Sequence, residues 1–375
     1  MENAATLSTL RRAGRFFRKN RPISEDCTHC QTFQQGELLE VSIPSIRCAH
    51  DAKGECIMCN YGIGTSISNT TSFLAEVEQL LADATFKTLL FSTNGSVLDD
   101  RNIPWSTLQA LLLCAVHSKA ETIIIETHID SITDEKLNWL ANALSGQKLV
   151  IEVGLESTDS FVQTNCFLKP INIADLLQII HQAKLRQIEV QCNVLLGAPF
   201  LSTAQQLRDV EQTIRWCLLQ GVSVVVFPVN IKPFTTLWYL HHRGGYPQLS
   251  AWALVWLLNR FTMQELQKID IAWFGNRMDG YRECTIPQPI LPTGCPLCNQ
   301  RLQDFFNAYM LYTQGEQRLA LLTQLLKHAD VLGCLCWEKL QSAVKQSDVF
   351  VEHDTVYQQQ LCLINALKAD FPYYF

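Results

Sequence analysis

The chain has 375 residues, of which 47% are hydrophobic and 18% are charged. This apolar content is typical of a folded globular protein and excludes a disordered or fibrous chain. The net charge of −6 leaves no surplus of Lys and Arg over the whole chain for binding nucleic-acid phosphates.

Fifteen cysteines are too many for an ordinary cytosolic enzyme, and the chain is too long for a small disulfide-rich secreted scaffold. The N-terminus lacks the continuous apolar segment of a secretory signal, and no apolar stretch suggests a membrane span. We therefore expect a soluble, cytoplasmic chain with no membrane partner. In such a chain, clustered cysteines bind metal or act in catalysis more often than they form disulfides.

The first segment is strongly basic. Its cations are Arg11, Arg12, Arg15, Arg18, Lys19 and Arg21. This pattern fits three interpretations: a targeting segment, an anion-binding arm, or an amphipathic helix that packs Leu10, Phe16 and Phe17 against the body.

Short Val- and Ile-rich runs then alternate with amphipathic helical segments. The runs are 39–46, 88–92, 122–126, 149–154, 188–196 and 222–229, and the helical segments between them are 72–81, 106–117, 134–144, 173–183 and 204–219. Such alternation predicts a parallel sheet with right-handed crossovers, in an α/β protein. Six units suit either a partial (β/α)6 barrel or a doubly wound sheet, and both place functional residues at the carboxyl ends of the strands.

After residue 230 the alternation stops, and helices are predicted over 252–267 and 304–327. We therefore expect three regions: a basic N-terminal helical arm over 1–38, the partial barrel over 39–247, and a helical, cysteine-bearing C-terminal module over 248–375.

Three cysteines, Cys48, Cys56 and Cys59, follow the first predicted barrel strand with C-x7-C-x2-C spacing. Three thiolates on one loop can bind three irons of a [4Fe–4S] cluster and leave the fourth iron open. Alternatively, His50 can complete a closed zinc site, or the three thiols can simply be buried. Gly54 suits a loop that wraps closely around a metal group.

This loop resembles the signature of the radical S-adenosylmethionine (SAM) superfamily, although the usual spacing there is C-x3-C-x2-C. The longer spacing is similar to the branch that contains archaeosine synthase and, more distantly, Elongator. Further matches to that branch follow each predicted strand in order, at 93–99, 126–133, 153–157, 166–169, 197–201 and 228–230.

The resemblance implies a partial barrel that holds a [4Fe–4S] cluster on Cys48, Cys56 and Cys59, with SAM bound at the open iron. It further implies a cofactor-binding set at the strand ends, consisting of Asn94, Gly95, Ser96, Glu126, Glu156, Asn193 and Gly197. Glu126 and Glu156 are candidates for ribose hydroxyls or substrate, and structural ion pairs are the alternative.

Two residues beyond the fourth predicted strand are separate candidates. Cys166 is a candidate hydrogen donor to a substrate radical, and an inert buried thiol is the alternative. Lys169 is either a ligand for an anionic group or a solvated charge. Trp238 and Tyr246, after the sixth strand, either stack on a substrate or seal the barrel edge.

A second cysteine group, Cys295, Cys298, Cys334 and Cys336, has the short-spaced pairs of a four-thiolate metal site. The sequence leaves open whether this group binds zinc or an auxiliary iron–sulfur cluster. Cys27, Cys30 and Cys284 are further possible ligands without assigned partners.

The predicted function is reductive cleavage of SAM to a 5′-deoxyadenosyl radical that abstracts hydrogen from a substrate. The resemblance implies a reductant such as ferredoxin or flavodoxin, possible pairing with a partner subunit, and a substrate that is either a small molecule or a modified nucleoside of the 7-deazaguanine class in tRNA. The alternative is a non-catalytic zinc-binding interaction module that uses both cysteine groups.

Overall fold

A computed structural model describes residues 2–20, 31–44, 48–60, 67, 69–274, 288–329, 333–346 and 352–375. Cys27, Cys30 and Cys284 lie outside these ranges, as does Arg21 of the basic segment.

One sheet of eight strands forms the centre of the fold, and its strands lie side by side in chain order. They are β1 (Gln31–Gln35), β2 (Leu38–Ile43), β3 (Thr88–Thr93), β4 (Thr122–Thr127), β5 (Lys148–Glu156), β6 (Glu189–Leu196), β7 (Ser223–Pro228) and β8 (Ile269–Ile271). Strand β1 runs antiparallel to β2, and every later neighbour pair is parallel. Because the order never reverses, the sheet is not doubly wound, and the predicted partial barrel is confirmed.

Helices connect the parallel strands and continue after them. They are α1 (Glu2–Lys19), α2 (Ala49–Ala52), α3 (Thr70–Asp83), α4 (Trp105–Val116), α5 (Asp134–Ala143), α6 (Ile173–Leu185), α7 (Thr203–Leu219), α8 (Thr236–His242), α9 (Trp252–Leu258), α10 (Met263–Leu266), α11 (Asn299–Leu311), α12 (Gly315–Lys327), α13 (Cys336–Gln346) and α14 (His353–Asp370). Within the described ranges, no helix is both long and apolar enough to cross a membrane.

The two faces of the sheet differ sharply in polarity. Outward side chains such as Phe91, Ile125 and Val194 are buried in one apolar core with the barrel helices. Side chains alternate along a strand, so their neighbours point to the barrel interior. Those neighbours include Glu126 and Asn193, so the interior is polar while the outside of the sheet supplies the core.

The N-terminal arm is an amphipathic helix packed on the body, which was one of the three interpretations of the basic segment. Leu10 of α1 is fully buried, and Phe17 stacks on Tyr239 of α8 with ring centroids 5.3 Å apart. Phe16 contacts Phe371, just after α14, at 5.0 Å. Helix α1 therefore joins the barrel to the last helix of the chain.

Two predicted C-terminal helices are each divided in two. The predicted helix over 252–267 breaks because the Thr262 hydroxyl accepts a bond from the Glu265 backbone and starts α10 anew. The predicted helix over 304–327 breaks before Gly315, where a Cβ atom would lie 2.0 Å from the Met263 carbonyl oxygen. Local capping and close backbone contact overrode the helical periodicity. The three regional boundaries stay a prediction.

Candidate active site

The three-cysteine loop follows β2 at the carboxyl end of the parallel strands. Cys48 precedes the short helix α2, and its side chain and that of Cys56 are buried, whereas Cys59 is half-buried. Cys56 has a φ of 60° and Gly54 a φ of 82°, so the chain turns twice through the left-handed region. This tight course brings three sulfurs onto one compact loop.

A buried arginine from the N-terminal helix holds this loop. Arg18 is 2% exposed and forms an ion pair with the fully buried Asp51. Its guanidinium also donates to the carbonyl oxygens of Glu55 (2.6 Å), Cys56 (2.7 Å) and Cys59 (3.0 Å). Five N–H donors in a rigid fork suit this set of acceptors. In the sequence, Arg18 is only one of the six cations of the basic segment, and nothing in its spacing predicts this role.

Helix α1 also approaches the loop backbone very closely. A Cβ atom at Gly54 would lie 2.0 Å from the Arg11 carbonyl oxygen, and one at Gly14 would lie 2.8 Å from the Gly54 carbonyl oxygen. Both glycines are therefore required by backbone contact between the helix and the loop. The close approach of helix α1 is thus the reason for a glycine at position 54, whereas the sequence suggested that Gly54 lets the loop wrap around a metal group.

Two histidines flank the loop in different ways. His50, the candidate fourth zinc ligand, instead bonds Glu55 through Nδ1 at 2.7 Å and Asp130 through Nε2 at 3.4 Å. These two partners raise the pKa of His50, Asp130 first. The Nε2 atom of His128 lies 3.6 Å from the Cys48 sulfur, a contact between residues 80 positions apart that no sequence motif predicts.

Burial raises the pKa of the Cys48 thiol, and it raises that of Cys56 further. Repulsion from Cys59 and Cys48 adds to the raised pKa of Cys56, while the positive charge of Lys169 opposes it. The three thiols therefore interact electrostatically, and a bound metal would stabilise their thiolate forms.

Lys169 is buried rather than solvated. Its ammonium group forms an ion pair with Glu156 at the end of β5, and both side chains are at most 10% exposed. A register shift between Gly154 and Glu156, with a Glu156 φ of 65°, redirects the carboxylate to this position. A Cβ atom at Gly154 would lie 2.8 Å from the Lys169 nitrogen, so this glycine admits the lysine.

The barrel interior carries carboxylates on neighbouring strands. Glu126 on β4 lies opposite Glu152 on β5, and Glu40 on β2 accepts a hydrogen bond from Ser92 at 2.9 Å. Burial, followed by repulsion from Glu152 and Glu40, raises the pKa of Glu126. This interior is suited to groups that donate hydrogen bonds or carry positive charge.

The residues after β3 form a closed hydrogen-bond network. The Ser96 hydroxyl is fully buried and lies 2.6 Å from the Thr127 hydroxyl oxygen and 3.0 Å from that of Ser131. A Cβ atom at Gly95 would lie 2.6 Å from the Asn102 amide oxygen. Asn94 is half-buried at the end of β3. Of these three predicted cofactor residues, Ser96 is thus already engaged within the protein.

The last two predicted cofactor residues lie on and just after β6. Asn193 is 6% exposed, faces the interior opposite Gly154, and its amide oxygen has no hydrogen-bond partner among the described residues. Gly197 has a φ of 130°, and its carbonyl oxygen accepts a 2.8 Å bond from the buried Tyr246 hydroxyl. Tyr246 thus takes the sealing role that was one of its two interpretations.

Cys166 lies in the π-helical segment Val162–Phe167 after β5 and is fully buried in a second apolar cluster with Leu10 and Phe200. Burial raises the pKa of its thiol well above the ordinary value. The structure thus does not bring it into the acidic interior, and its role as a hydrogen donor stays a prediction.

The four C-terminal cysteines come together as their spacing predicts. The sulfurs of Cys295, Cys298, Cys334 and Cys336 all lie within 4.8 Å of one another. Within the described ranges, Cys48, Cys56 and Cys59 are not part of a group gathered this tightly. The two cysteine sites therefore differ in geometry as well as in the number of sulfurs.

Comparison with known proteins adds independent information, although no family model matches the chain. The chain is 22% identical over 233 residues to archaeosine synthase subunit beta of Methanosarcina acetivorans, covering 60% of this chain and 67% of the relative. It is 21% identical over 254 residues to an uncharacterized protein of Methanocaldococcus jannaschii, covering 64% of this chain and 69% of the relative.

Among solved structures, coproporphyrinogen III oxidase from Escherichia coli, a radical SAM enzyme, matches with a TM-score of 0.43 and 12% identity over 96% of this chain and 93% of that chain. The chain is thus similar in sequence to archaeosine synthase subunit beta, and its partial barrel, with the three-cysteine loop at the carboxyl edge, agrees with the resemblance to the radical SAM superfamily that the sequence motifs indicate.

Proposed function

We propose that this chain is a radical SAM enzyme in which Cys48, Cys56 and Cys59 bind a [4Fe–4S] cluster. The observation that carries the proposal is the position of this loop at the carboxyl edge of a polar barrel interior. Burial raises the pKa of Cys48 and Cys56 there, and the positive charge of Lys169 opposes that rise. Parallel barrels use this edge for chemistry.

The donor set fits such a cluster. Three cysteines ligate three irons and leave one iron for the amino and carboxylate groups of SAM. The fourth candidate ligand, His50, is engaged by Glu55 and Asp130. When bound there, the cluster and SAM supply a 5′-deoxyadenosyl radical that removes a hydrogen atom from the substrate.

The protein's own residues have distinct roles in this proposal. Arg18 and Asp51 hold the loop in its course, and the Lys169 ammonium balances the negative charge that thiolates bring into a buried site. Asn94 and the side-chain amide oxygen of Asn193 present polar groups to the cofactor. Because no side chain fits at Gly95 or Gly197, these two residues shape the strand ends through their backbones, and the Ser96 hydroxyl ties its segment to Thr127.

We further propose a substrate with a positively charged or strongly donating group. The acceptors are Glu126 and its neighbours on the interior face of the sheet. A lysine-bearing 7-deazaguanine nucleoside meets this requirement and agrees with the relative named archaeosine synthase subunit beta. A small biosynthetic molecule with an amine meets it equally well on chemistry alone.

Anaerobic reconstitution with iron and sulfide tests the first proposal. We expect cluster absorption and dithionite-dependent cleavage of SAM in the wild-type chain. Cys56→Ala should lose both, while Cys362→Ala, at an exposed cysteine, should keep both. Cluster and cleavage in Cys56→Ala, or neither in the wild type, would contradict the proposal.

The substrate class requires a different measurement. If tRNA is bound, its affinity should fall steeply with salt, because phosphate contacts release counterions. Absence of tRNA binding at low salt would contradict a tRNA substrate and favour the small amine-bearing molecule. Glu126→Gln should weaken binding of an amine-bearing substrate without changing SAM cleavage in its absence.

The alternative function, a non-catalytic zinc module, predicts zinc without iron. Metal analysis of anaerobically purified chain separates the two, since the enzyme requires about four irons per chain for one [4Fe–4S] cluster.

A further inference from the structure

Four cysteines outside the proposed active site converge from two distant parts of the chain. Cys295 and Cys298 precede α11, while Cys334 and Cys336 lie at the start of α13. All four sulfurs lie within 4.8 Å of one another, and those of Cys295 and Cys298 are 3.7 Å apart. The four thiols are free, so no disulfide explains the convergence.

The spacing of the sulfurs distinguishes the two metals that the sequence left open. Zinc–sulfur bonds of about 2.3 Å in a tetrahedron place neighbouring sulfurs about 3.8 Å apart. In a [4Fe–4S] cluster each cysteine binds a different iron, so the sulfurs point outward from the corners of the cluster and lie farther apart. A separation of 3.7 Å within a group no wider than 4.8 Å therefore matches one tetrahedral ion.

The surroundings are built to hold these sulfurs. The indole N–H of Trp252 donates to the Cys298 sulfur at 3.3 Å, the kind of outer contact that orients a metal ligand. A Cβ atom at Gly294 would lie 2.6 Å from the same sulfur, so only glycine fits beside it. Cys298 is fully buried and Cys334 is 9% exposed.

The site also joins structural elements that are far apart in the sequence. Its first loop is tied to the barrel by a bridge between Ile231 and Ile290 and by a 3.1 Å bond from the Ala251 N–H to the Thr293 carbonyl oxygen. On the other side, Trp337 of α13 packs on Trp252 of α9, with ring centroids 5.4 Å apart. An ion here would cross-link α13 to the helices that cover the outside of the barrel.

We propose that Cys295, Cys298, Cys334 and Cys336 bind one Zn²⁺ in a closed tetrahedral site that fastens the C-terminal helices to the barrel. Four thiolates fill the coordination sphere, so the ion has no open position for a substrate and takes no part in electron transfer. This site is independent of the cluster proposed on the N-terminal loop.

The test is metal analysis of the full chain, purified and reconstituted without oxygen. We expect about one zinc per chain in the wild type, in Cys56→Ala and in Cys362→Ser, and a loss of at least about tenfold in Cys336→Ser. Iron in the Cys336→Ser chain should equal that of the wild type. A wild-type chain without zinc, or iron that is lost with Cys336→Ser, would overturn the assignment.

A second measurement keeps the proposal testable if Cys336→Ser does not fold. Zinc-edge X-ray absorption of the wild-type chain should show four sulfurs at about 2.3 Å. Nitrogen or oxygen ligands, or fewer than four sulfurs, would overturn the proposal.

Discussion

The two cysteine sites of this chain differ in composition, position and support. The N-terminal site has three sulfurs on one loop beside a polar barrel interior, and a buried lysine lies within electrostatic reach. The C-terminal site has four sulfurs from two loops, gathered within 4.8 Å on the outside of the barrel. Three ligands beside a polar interior suit a reactive group with an open position, whereas four ligands, two of them buried and two half-buried, suit a closed structural ion.

The two sites also differ in the contacts that hold their cysteine loops in place. Arg18 holds the N-terminal loop through the loop's carbonyl oxygens and Asp51, and backbone contact with helix α1 at Gly54 adds to this support. The C-terminal loops have close packing at Gly294 and one donor from Trp252, and the proposed zinc supplies the remaining link. The proposed cluster site is thus held by protein contacts, and the proposed zinc site would be completed by its metal.

The largest effect should follow from Arg18→Gln. Removing one partner of a buried ion pair costs about 3–5 kcal/mol, and here the loop also loses the hydrogen bonds to its carbonyl oxygens. We expect lower stability in urea denaturation and loss of iron after reconstitution, with zinc retained. Lys19→Gln, an exposed control on the same helix, should change neither. Equal iron content in both variants would contradict the role of Arg18.

Lys169→Met should have the next largest effect on stability. It leaves the Glu156 carboxylate buried without its partner, at a cost of about 3 kcal/mol, and the double variant with Glu156→Gln should recover part of this loss. Lys148→Met, which removes an exposed pair with Glu189, should cost less than about 1 kcal/mol. Urea denaturation of Lys169→Met, Glu156→Gln, their double variant and Lys148→Met measures these differences, and additive losses in the double variant would contradict a direct pair.

Gly294→Ala should weaken the four-cysteine site at the C-terminal end of the chain. Its methyl group would meet the Cys298 sulfur and Leu302, so we expect a cost of about 2 kcal/mol and weaker zinc retention against a chelator. Gly146→Ala is the matched control, because a methyl group there meets nothing within 4 Å. Zinc release at the wild-type rate from Gly294→Ala would show that this packing does not support the site.

The smallest effect concerns pH. Burial raises the pKa of Asp209, which accepts a 2.6 Å bond from Ser157, from 3.8 to about 7. Between these values the folded state keeps a proton that the unfolded state has lost, so stability falls as pH rises. From about pH 6 to about pH 7.5 the loss should be about 1 kcal/mol. Asp209→Asn should remove this part of the pH dependence in urea denaturation, and an unchanged slope would contradict it.

Much of the fold was predictable from periodicity. The six Val- and Ile-rich runs correspond to β2 to β7, because strands buried on the outer face of a barrel need apolar residues at regular positions. The short strand β8 and the antiparallel β1 were missed, since Ile269–Ile271 is too brief and Gln31–Gln35 too polar to give a strand pattern.

Sequence spacing by itself determined the two cysteine groups, the alternation of strands and helices, and the resemblance to the radical SAM superfamily, because these depend on residue type and separation along the chain. Only the tertiary structure decided that Arg18 enters the cysteine loop, that Lys169 pairs with Glu156 and that four sulfurs lie close enough for a single ion. These contacts join residues that are distant in sequence, or depend on a local backbone turn that redirects a side chain. The distances between such groups are set only when the chain folds.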